Sequence, residues 1–401
     1  MFNSLKFKVI LFGFIFTFFS SFGQSYFLGL FNSSIRETLS ITHGQFGTIY
    51  ASATLCSSLL LIWVGKKIDD VNIFKFAFLV IILLSFACFF FSKISSVLLL
   101  FVAIFLMRFS GQGLMSHTAS TTISRYFTKT RGKALSISWF GLSSAEFIMP
   151  VLMVYLLTII SWQNLWVIFS ITVLIFLPII SFLLIKNLNL DSRESKDENI
   201  KDEEIKQWKR IEVIKDYRFY IISLNMLAMP WIFTGFAVFQ SFVQTSKGWG
   251  PYTIAQSFMS YSIFSVLTLF LSGYLIDKFT SRKLLIFMNI PLLLSAIVLF
   301  FFETPIIAFV FLGLVGISNG FSNILGSSTW AELYGVKHIG SIKALTTALM
   351  VFATAFGTAL YGFLIDIGFT IEEIVAVSGT YISISLILLF LIRKKLNPVI
   401  I

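Results

Sequence analysis

Two short stretches of this 401-residue chain carry charge where charge is expensive: "RFSGQG" (Arg108–Gly113) and "SSAEFIMP" around Glu146. Of 30 basic residues only Arg108, and of 19 acids only Glu146, sits deep inside a long apolar run. An isolated charge at that depth of a bilayer costs at least ~2.5–3.5 kcal/mol on insertion scales, so both are functional candidates. A guanidinium forks onto a carboxylate, which makes Arg108 a candidate substrate-binding cation for an organic anion. A desolvated carboxyl can take up and release a proton, which makes Glu146 a candidate proton-coupling site. The competing reading is a buried ion pair between the two that fixes helix register.

What must position them is a set of membrane helices. The composition is 57% hydrophobic and 12% charged, against about 25% charged in soluble domains. Since ~20 apolar residues cross a bilayer core, twelve candidate spans emerge: 9–30, 45–64, 74–92, 97–122, 134–156, 163–185, 219–243, 251–276, 284–302, 305–328, 341–365 and 372–392. No alternating ten-residue pattern of a barrel is present. The N-terminal "MFNSLKFKVILFGFIFTFFSSFG" lacks a small-x-small cleavage site and reads as an uncleaved first span. At ~1.5 Å per residue, Arg108, about eleven residues into span four, and Glu146, about thirteen into span five, both reach mid-membrane. The two spans run antiparallel, which leaves a meeting of the two side chains open. The 48 Phe residues fit acyl-facing and interhelical positions better than an aromatic binding box.

Charge sets the orientation. Of the 30 Lys and Arg, 26 fall at the two termini or in the even-to-odd loops, leaving Arg36, Lys93 and Lys247 in the opposite loops. The positive-inside rule then puts both termini in the cytoplasm. The net charge of +11 is a topology signal that favours anionic lipid headgroups and calls for no nucleic-acid partner. Cys56 and Cys88 read as small hydrophobes within spans, and no metal site or cofactor is expected.

One polar pattern occurs twice, 208 residues apart: "GKKIDD" from Gly65 and "GYLIDK" from Gly273. The same offset pairs Asp69 with Asp277, Tyr126 of "RYFTKTRGKAL" with Tyr334 of "LYGVKHIGSIKAL", and Gly132 with Gly340. Six spans separate each pair, so the chain reads as a parallel six-plus-six repeat. The expected domains are 1–190 and 217–401, joined by a cytoplasmic linker over 191–216. Within that linker Ile205, Trp208, Ile211 and Ile214 fit either a short helix lying on the leaflet or a solvated segment.

Twelve spans, a central loop and a G-x-x-x-D-[RK] element after spans two and eight resemble the major facilitator superfamily. The second copy is the closer match, with Gly273, Asp277, Lys278, Arg282 and Lys283 filling the glycine, acid and basic positions; in the first, Asp70 replaces the base and Asn72 the second glycine. "RFSGQG" is similar to the family's arginine element, with one extra residue between Arg108 and Gln112. The resemblance implies an all-α membrane protein of two six-helix bundles related by a pseudo-twofold, acting as a monomer on a small molecule by alternating access. For these sequence features it implies the inner membrane of a bacterium. It also implies a cytoplasmic gate built from Gly65, Asp69, Lys75, Arg131, Gly273, Asp277, Lys278, Arg282 and Gly340. Spans one, four, seven and ten would line the cavity and offer Gln24 and Tyr26; Arg108 and Gln112; Asn225, Trp231 and Gln240; and Asn319 and Asn323. Each amide has the alternative role of an interhelical hydrogen bond. Pro230 and Gly235 are expected to break span seven at mid-membrane.

"THGQFGTIYASATLCSSLLL" and "RGKALSISWFG" resemble facilitators near the monocarboxylate and oxalate–formate carriers. That branch implies proton-coupled transport or exchange of a small monocarboxylate, although spans eight and eleven offer no second cation. Span five lacks the antiporter G-x-x-x-G-P element, which weighs against drug efflux, the alternative transport reading. A receptor or an intramembrane enzyme is the alternative of another class. The chain has no G-x-x-x-x-G-K-[ST] loop, no HExxH and no paired intramembrane Asp, so neither ATP hydrolysis nor an intramembrane hydrolase is supported.

Overall fold

The computed structural model describes residues 5–127, 130–186 and 206–398. Those residues hold twelve helices long and apolar enough to cross a membrane: α1 Leu5–Gly29, α2 His43–Ile68, α3 Ile73–Phe91, α4 Val97–Tyr126, α5 Gly132–Leu157 and α6 Trp162–Ile185, then α7 Tyr217–Val238, α8 Thr253–Ile276, α9 Ser281–Phe301, α10 Ile306–Tyr334, α11 Ile339–Asp366 and α12 Ile371–Lys395. No strand occurs among the described residues. Polar caps mark where the helices begin. Thr42 and Thr370 form capping boxes with Gln45 and Glu373, and Ser96 and Ser161 accept from the first-turn amides of α4 and α6.

The chain divides into two compact units, Met1–Glu198 and Asn199–Ile401. Each pairs its helices in the same order: α1 packs on α5, α2 on α4 and α3 on α6; likewise α7 packs on α11, α8 on α10 and α9 on α12. Lipid supplies no hydrophobic force between helices, so close backbone approach and interhelical hydrogen bonds must hold these seams. At the α1–α5 seam a side chain on Gly141 would collide with the Phe14 carbonyl, and the Thr17 hydroxyl donates to the Ser138 carbonyl at 2.5 Å. Ser85 and Ser170 join α3 to α6 at 3.0 Å, and Asn319 donates to Ser265 across α8 and α10 at 2.9 Å.

Three helices depart from the expected continuous spans. The first stops at Ser20, passes through a 3-10 turn at Ser21–Gly23 and an extended Gln24, and resumes at Ser25. The seventh runs unbroken through Pro230; the interruption falls at Phe239, and Gln240 begins a separate helix, Gln240–Ser246. Gly235 does not break it either, but receives the Tyr361 ring of α11. The ninth is interrupted at Asn289, whose amide donates to the Asn225 carbonyl at 2.6 Å.

The two copies of the loop element are built differently. Asn72 has φ −54°, so it is not a left-handed turn residue; its side chain caps α3 by accepting from Phe74 N and Lys75 N. Its counterpart Thr280 has φ 71° and leaves the start of α9 to Glu332 of α10, which accepts from Ser281 N at 2.9 Å and pairs with Arg282 at 2.9 Å. Glu332 thereby places an acid on the N-terminus of α9, where the helix dipole favours negative charge. Gly65 and Gly273 permit no close approach inside their units, since a Cβ would meet nothing nearer than His117 at 3.4 Å or Ile324 at 4.0 Å, and none lies within 4 Å of Gly340. Lys75 and Lys278 are exposed. The side chains of Asp69, Asp277 and Arg131 lie outside what the structure describes.

Of the linker, residues 187–205 lie outside the described residues. The rest forms neither a solvated strand nor an apolar stripe on a surface, but docks onto the C-terminal unit. Trp208 N donates to the Tyr334 carbonyl at 3.0 Å, Gln207 accepts from Lys337 N at 2.9 Å, and a six-residue helix, Arg210–Lys215, buries Val213 while Ile211 stays exposed. The Lys209 N–H and then Lys206 hold the Glu212 carboxyl below the usual carboxylate range. Beyond this helix Arg218 pairs with Asp216 at 2.7 Å and donates to the carbonyls of Lys395 and Asn397, while Tyr334 donates to Asp216. Linker, α10–α11 loop and C-terminal segment are thereby tied at one buried ion pair. Removing one partner of such a pair costs about 3–5 kcal/mol. Arg218→Met is expected to lower the melting temperature of the purified protein by several degrees and to expose residues 393–398 to carboxypeptidase; unchanged melting and digestion would disprove the tie.

Candidate functional site

Helix α4 changes character at the arginine. An α-helix runs from Val97 to Met107, a π-helix from Arg108 to Met115, and an α-helix again from Ser116 to Tyr126. A π-helix wastes backbone hydrogen-bond geometry and is concentrated at functional positions. The wide turn is met by the break in α1. A side chain on Gly23 would collide with the Met107 carbonyl and Gln112 N, and one on Gly111 would lie 2.7 Å from Gly23 N. Two glycines thus bring the interrupted backbone of α1 against the start of the π-helix.

That contact determines what Arg108 touches. Because α1 is broken, the Gly23 carbonyl faces outward, and Arg108 Nη1 donates to it at 3.0 Å and to Ser25 Oγ at 3.2 Å. Tyr50 of α2 donates to the same Ser25 oxygen at 3.0 Å and presents its ring to the guanidinium, 5.4 Å from the centroid. Arg108 is 3% exposed, and among the described residues its Nε has no hydrogen-bond partner. Both side-chain hydrogen bonds leave from Nη1, and none among the described residues leaves from Nη2. The Nε–Nη2 edge is the side-on fork that matches a carboxylate. All partners of this buried cation are neutral, and no ion pair among the described residues includes it.

Glu146 is also buried, at 8% exposure, on α5, and no hydrogen bond or ion pair among the described residues reaches it. Arg108 and Glu146 form no ion pair with one another among the described residues. Gln24, in the break of α1, and Gln112, in the π-helix, are half-buried, and their side chains make no hydrogen bond among the described residues. In the N-terminal unit, then, the candidate residues Gln24, Tyr26, Arg108, Gln112 and Glu146 gather on α1, α4 and α5, and Ser25 and Tyr50 join them. Ser25 lies between the sequence candidates Gln24 and Tyr26 of span one, whereas Tyr50 of span two was missed; a tyrosine on a helix face shared with Thr54 and Ser57 was the available signal.

The C-terminal candidates behave otherwise. Asn225 is fully buried, supplies its carbonyl to Asn289 and approaches Ser385 of α12 at 3.5 Å. Trp231 is packed edge-on against Phe356, Tyr361 and Tyr381. Gln240 donates to Ala237, and Asn319 to Ser265. Asn225 and Asn319 thus make interhelical hydrogen bonds, Trp231 packs against neighbouring helices, and Gln240 bonds locally, three residues back. Asn323 is exposed and lines a cavity of about 230 Å3 between α7, α10 and α11, together with Lys343. Lys343 stands in the second turn of α11, which corrects the expectation that span eleven offers no cation.

The sequence profile of the Major Facilitator Superfamily matches residues 13–358 and, in a second placement, 223–399. A bacterial homologue of the human lysosomal transporter Spinster, solved in an inward-facing unoccupied conformation, is similar over 98% of both chains with a TM-score of 0.73 at 14% identity. The nucleoside transporter NupG is similar over 98% of this chain and 99% of its own, with a TM-score of 0.71 at 13% identity. No curated protein sequence matches. The chain belongs to the Major Facilitator Superfamily, and it is a membrane transporter, not an enzyme.

Ser25 is the joint of the cluster, so its loss strands two donors. Ser25→Ala leaves Tyr50 and one Arg108 bond without their acceptor, at about 1–3 kcal/mol for buried groups. Tyr50→Phe leaves Ser25 still serving Arg108 and costs less. The expected order of melting temperatures is wild type, Tyr50→Phe, Ser25→Ala; equal effects would refute the shared acceptor.

Proposed function

We propose that this transporter is a secondary carrier of a small organic anion such as a monocarboxylate, working by alternating access with proton coupling or exchange. One observation carries the reading: a buried guanidinium held by neutral groups at one limb, with its carboxylate-matching edge unpaired. A cation left so in a low-dielectric site is stabilised by whatever anion enters, and the bond is charge-assisted and bidentate. Gln24 and Gln112 beside it supply neutral donors for the rest of a small polar substrate. Coupling is assigned to Glu146, whose carboxyl has no cation of its own to keep it ionised; a proton is the remaining means of neutralising it. Neutralisation on α5 adjacent to α1 is then a route by which proton and anion affect the same break in α1.

The proposed setting is a bacterial inner membrane with both termini cytoplasmic, as the charge distribution favours. The linker region over 191–216 then lies on the cytoplasmic side between the two six-helix domains, 1–190 and 217–401, and the gate residues stand at that face. Glu332–Arg282 and Asn72 hold the loops there.

Two measurements test the assignment. Arg108→Met is expected to weaken lactate-dependent counterflow in proteoliposomes by about 30-fold, the worth of about 2 kcal/mol in a charge-assisted contact; counterflow at the wild-type rate would exclude the anion site. Glu146→Gln is expected to retain counterflow yet lose accumulation driven by a pH gradient, and pH-driven accumulation surviving in that variant would exclude Glu146 as the proton site.

A further inference from the structure

Where α9 breaks, the C-terminal unit collects polar atoms that its own hydrogen bonds do not satisfy. Asn289 at the break and Asn225 of α7 are both 0% exposed, and the amide oxygen of each is buried with no partner among the described residues. Both stand eight residues from the start of their helices, and Ser385 of α12 stands ten from the end of its own. At ~1.5 Å per residue the three share one depth, ~12–15 Å in from one end of the unit. We propose that this junction of α7, α9 and α12 is a binding site for a sodium ion.

Hydrogen bonding fixes which amide atom is which. Asn289 Nδ2 donates to the Asn225 carbonyl at 2.6 Å, and that oxygen can only accept. Ser385 gives its hydroxyl proton to the Ile382 carbonyl at 2.8 Å, so it turns a lone pair toward Asn225 Nδ2 at 3.5 Å. Both unpartnered atoms are therefore acceptors, and their complement is a positive charge or a donor.

The helix break adds to the same sign. The first half of α9, Ser281–Met288, ends at Asn289 and directs the negative end of its dipole there. Pro291 has no N–H, so the Phe287 carbonyl is denied its α-helical partner. Half-helix ends and unwound carbonyls of this kind coordinate sodium in transporters.

Ligand chemistry selects the ion. The available oxygens belong to amides, a hydroxyl and the broken backbone, all hard and all neutral. A divalent ion would bring two charges to a cluster whose hydrogen bonds include no carboxylate. The short Asn289–Asn225 bond holds the two side chains close, which suits sodium better than the larger potassium ion.

Arg108 and Glu146 belong to the N-terminal unit, so sodium binding is tested apart from their roles. The measurement is equilibrium binding of radioactive sodium to the full-length protein in detergent, with choline chloride holding the ionic strength constant. One saturable site per chain is expected, displaced by unlabelled sodium and far less by potassium. Asn289→Leu and Asn225→Leu replace an amide by an apolar group of similar shape and should weaken binding about tenfold or more. Ser385→Ala should weaken it a few-fold; as the mildest change, it keeps the test open should a leucine variant fail to fold. Glu146→Gln should bind sodium as wild type does. Absence of saturable binding would overturn the proposal and leave a water donating to the two oxygens. So would binding unchanged in the three cluster variants, equal displacement by potassium, or loss of binding in Glu146→Gln, which would move the ion to the N-terminal unit.

Discussion

In the hydrocarbon core of a bilayer no water serves the backbone, so its polar groups must find partners within the protein wherever they do not line a cavity. This constraint makes the Arg108–Gly23 hydrogen bond possible. Were α1 continuous, the Gly23 carbonyl would be spent on a helical bond. The 3-10 turn at Ser21–Gly23 and the extended Gln24 release it, and the arginine of α4 takes it. The π-helix that begins at Arg108 is the complementary irregularity on the facing helix. Two local departures from ideal geometry, each unfavourable alone, thus satisfy one another and leave a guanidinium edge open.

Both units solve the seam problem by the same helix pairing, yet differ in their polar detail. The N-terminal unit gathers its polar side chains around a charge, and its loop element is capped by its own Asn72. The C-terminal unit ties amides into helix contacts and has Glu332 cap α9 from α10. It also carries the docked end of the linker through Asp216, Arg218 and Tyr334. An internal repeat preserves where helices lie against one another, since packing depends on broad apolar faces and small residues. It does not preserve which side chains meet across a seam, and so duplicated units can take on separate tasks.

This explains what was legible in the sequence. Span number and length follow from composition, which is a property of each segment by itself, and all twelve were readable from it. The repeat was readable from glycine and acid positions at one fixed offset, although the two loops are built differently around Asn72 and Thr280. Arg108 and Glu146 stood out through depth alone. Their failure to pair was not readable, because facing depends on helix rotation, and the π-helix alters rotation at the residue in question. The break in α7 was misplaced: Pro230 removes a donor but the helix tolerates it, whereas the helix ends at Phe239, whose φ is −106° and ψ 25°. Asn225 and Asn319 went to interhelical bonds, a choice set by Asn289 and Ser265 on neighbouring helices. Lys343 was overlooked although it lies within the expected span 341–365, because at the end of a span a lysine reads as a loop charge.

The central claim is that the unpaired edge of Arg108 receives the substrate's carboxylate. Solid-state NMR on the protein in lipid, with nitrogen-labelled arginine and carboxyl-labelled lactate, measures it directly through dipolar contact between the two labels. The account requires contact from Nε and Nη2 of Arg108, with Nη1 still engaged to the Gly23 carbonyl. Carboxylate contact through Nη1, or none at all at saturating lactate, would contradict it.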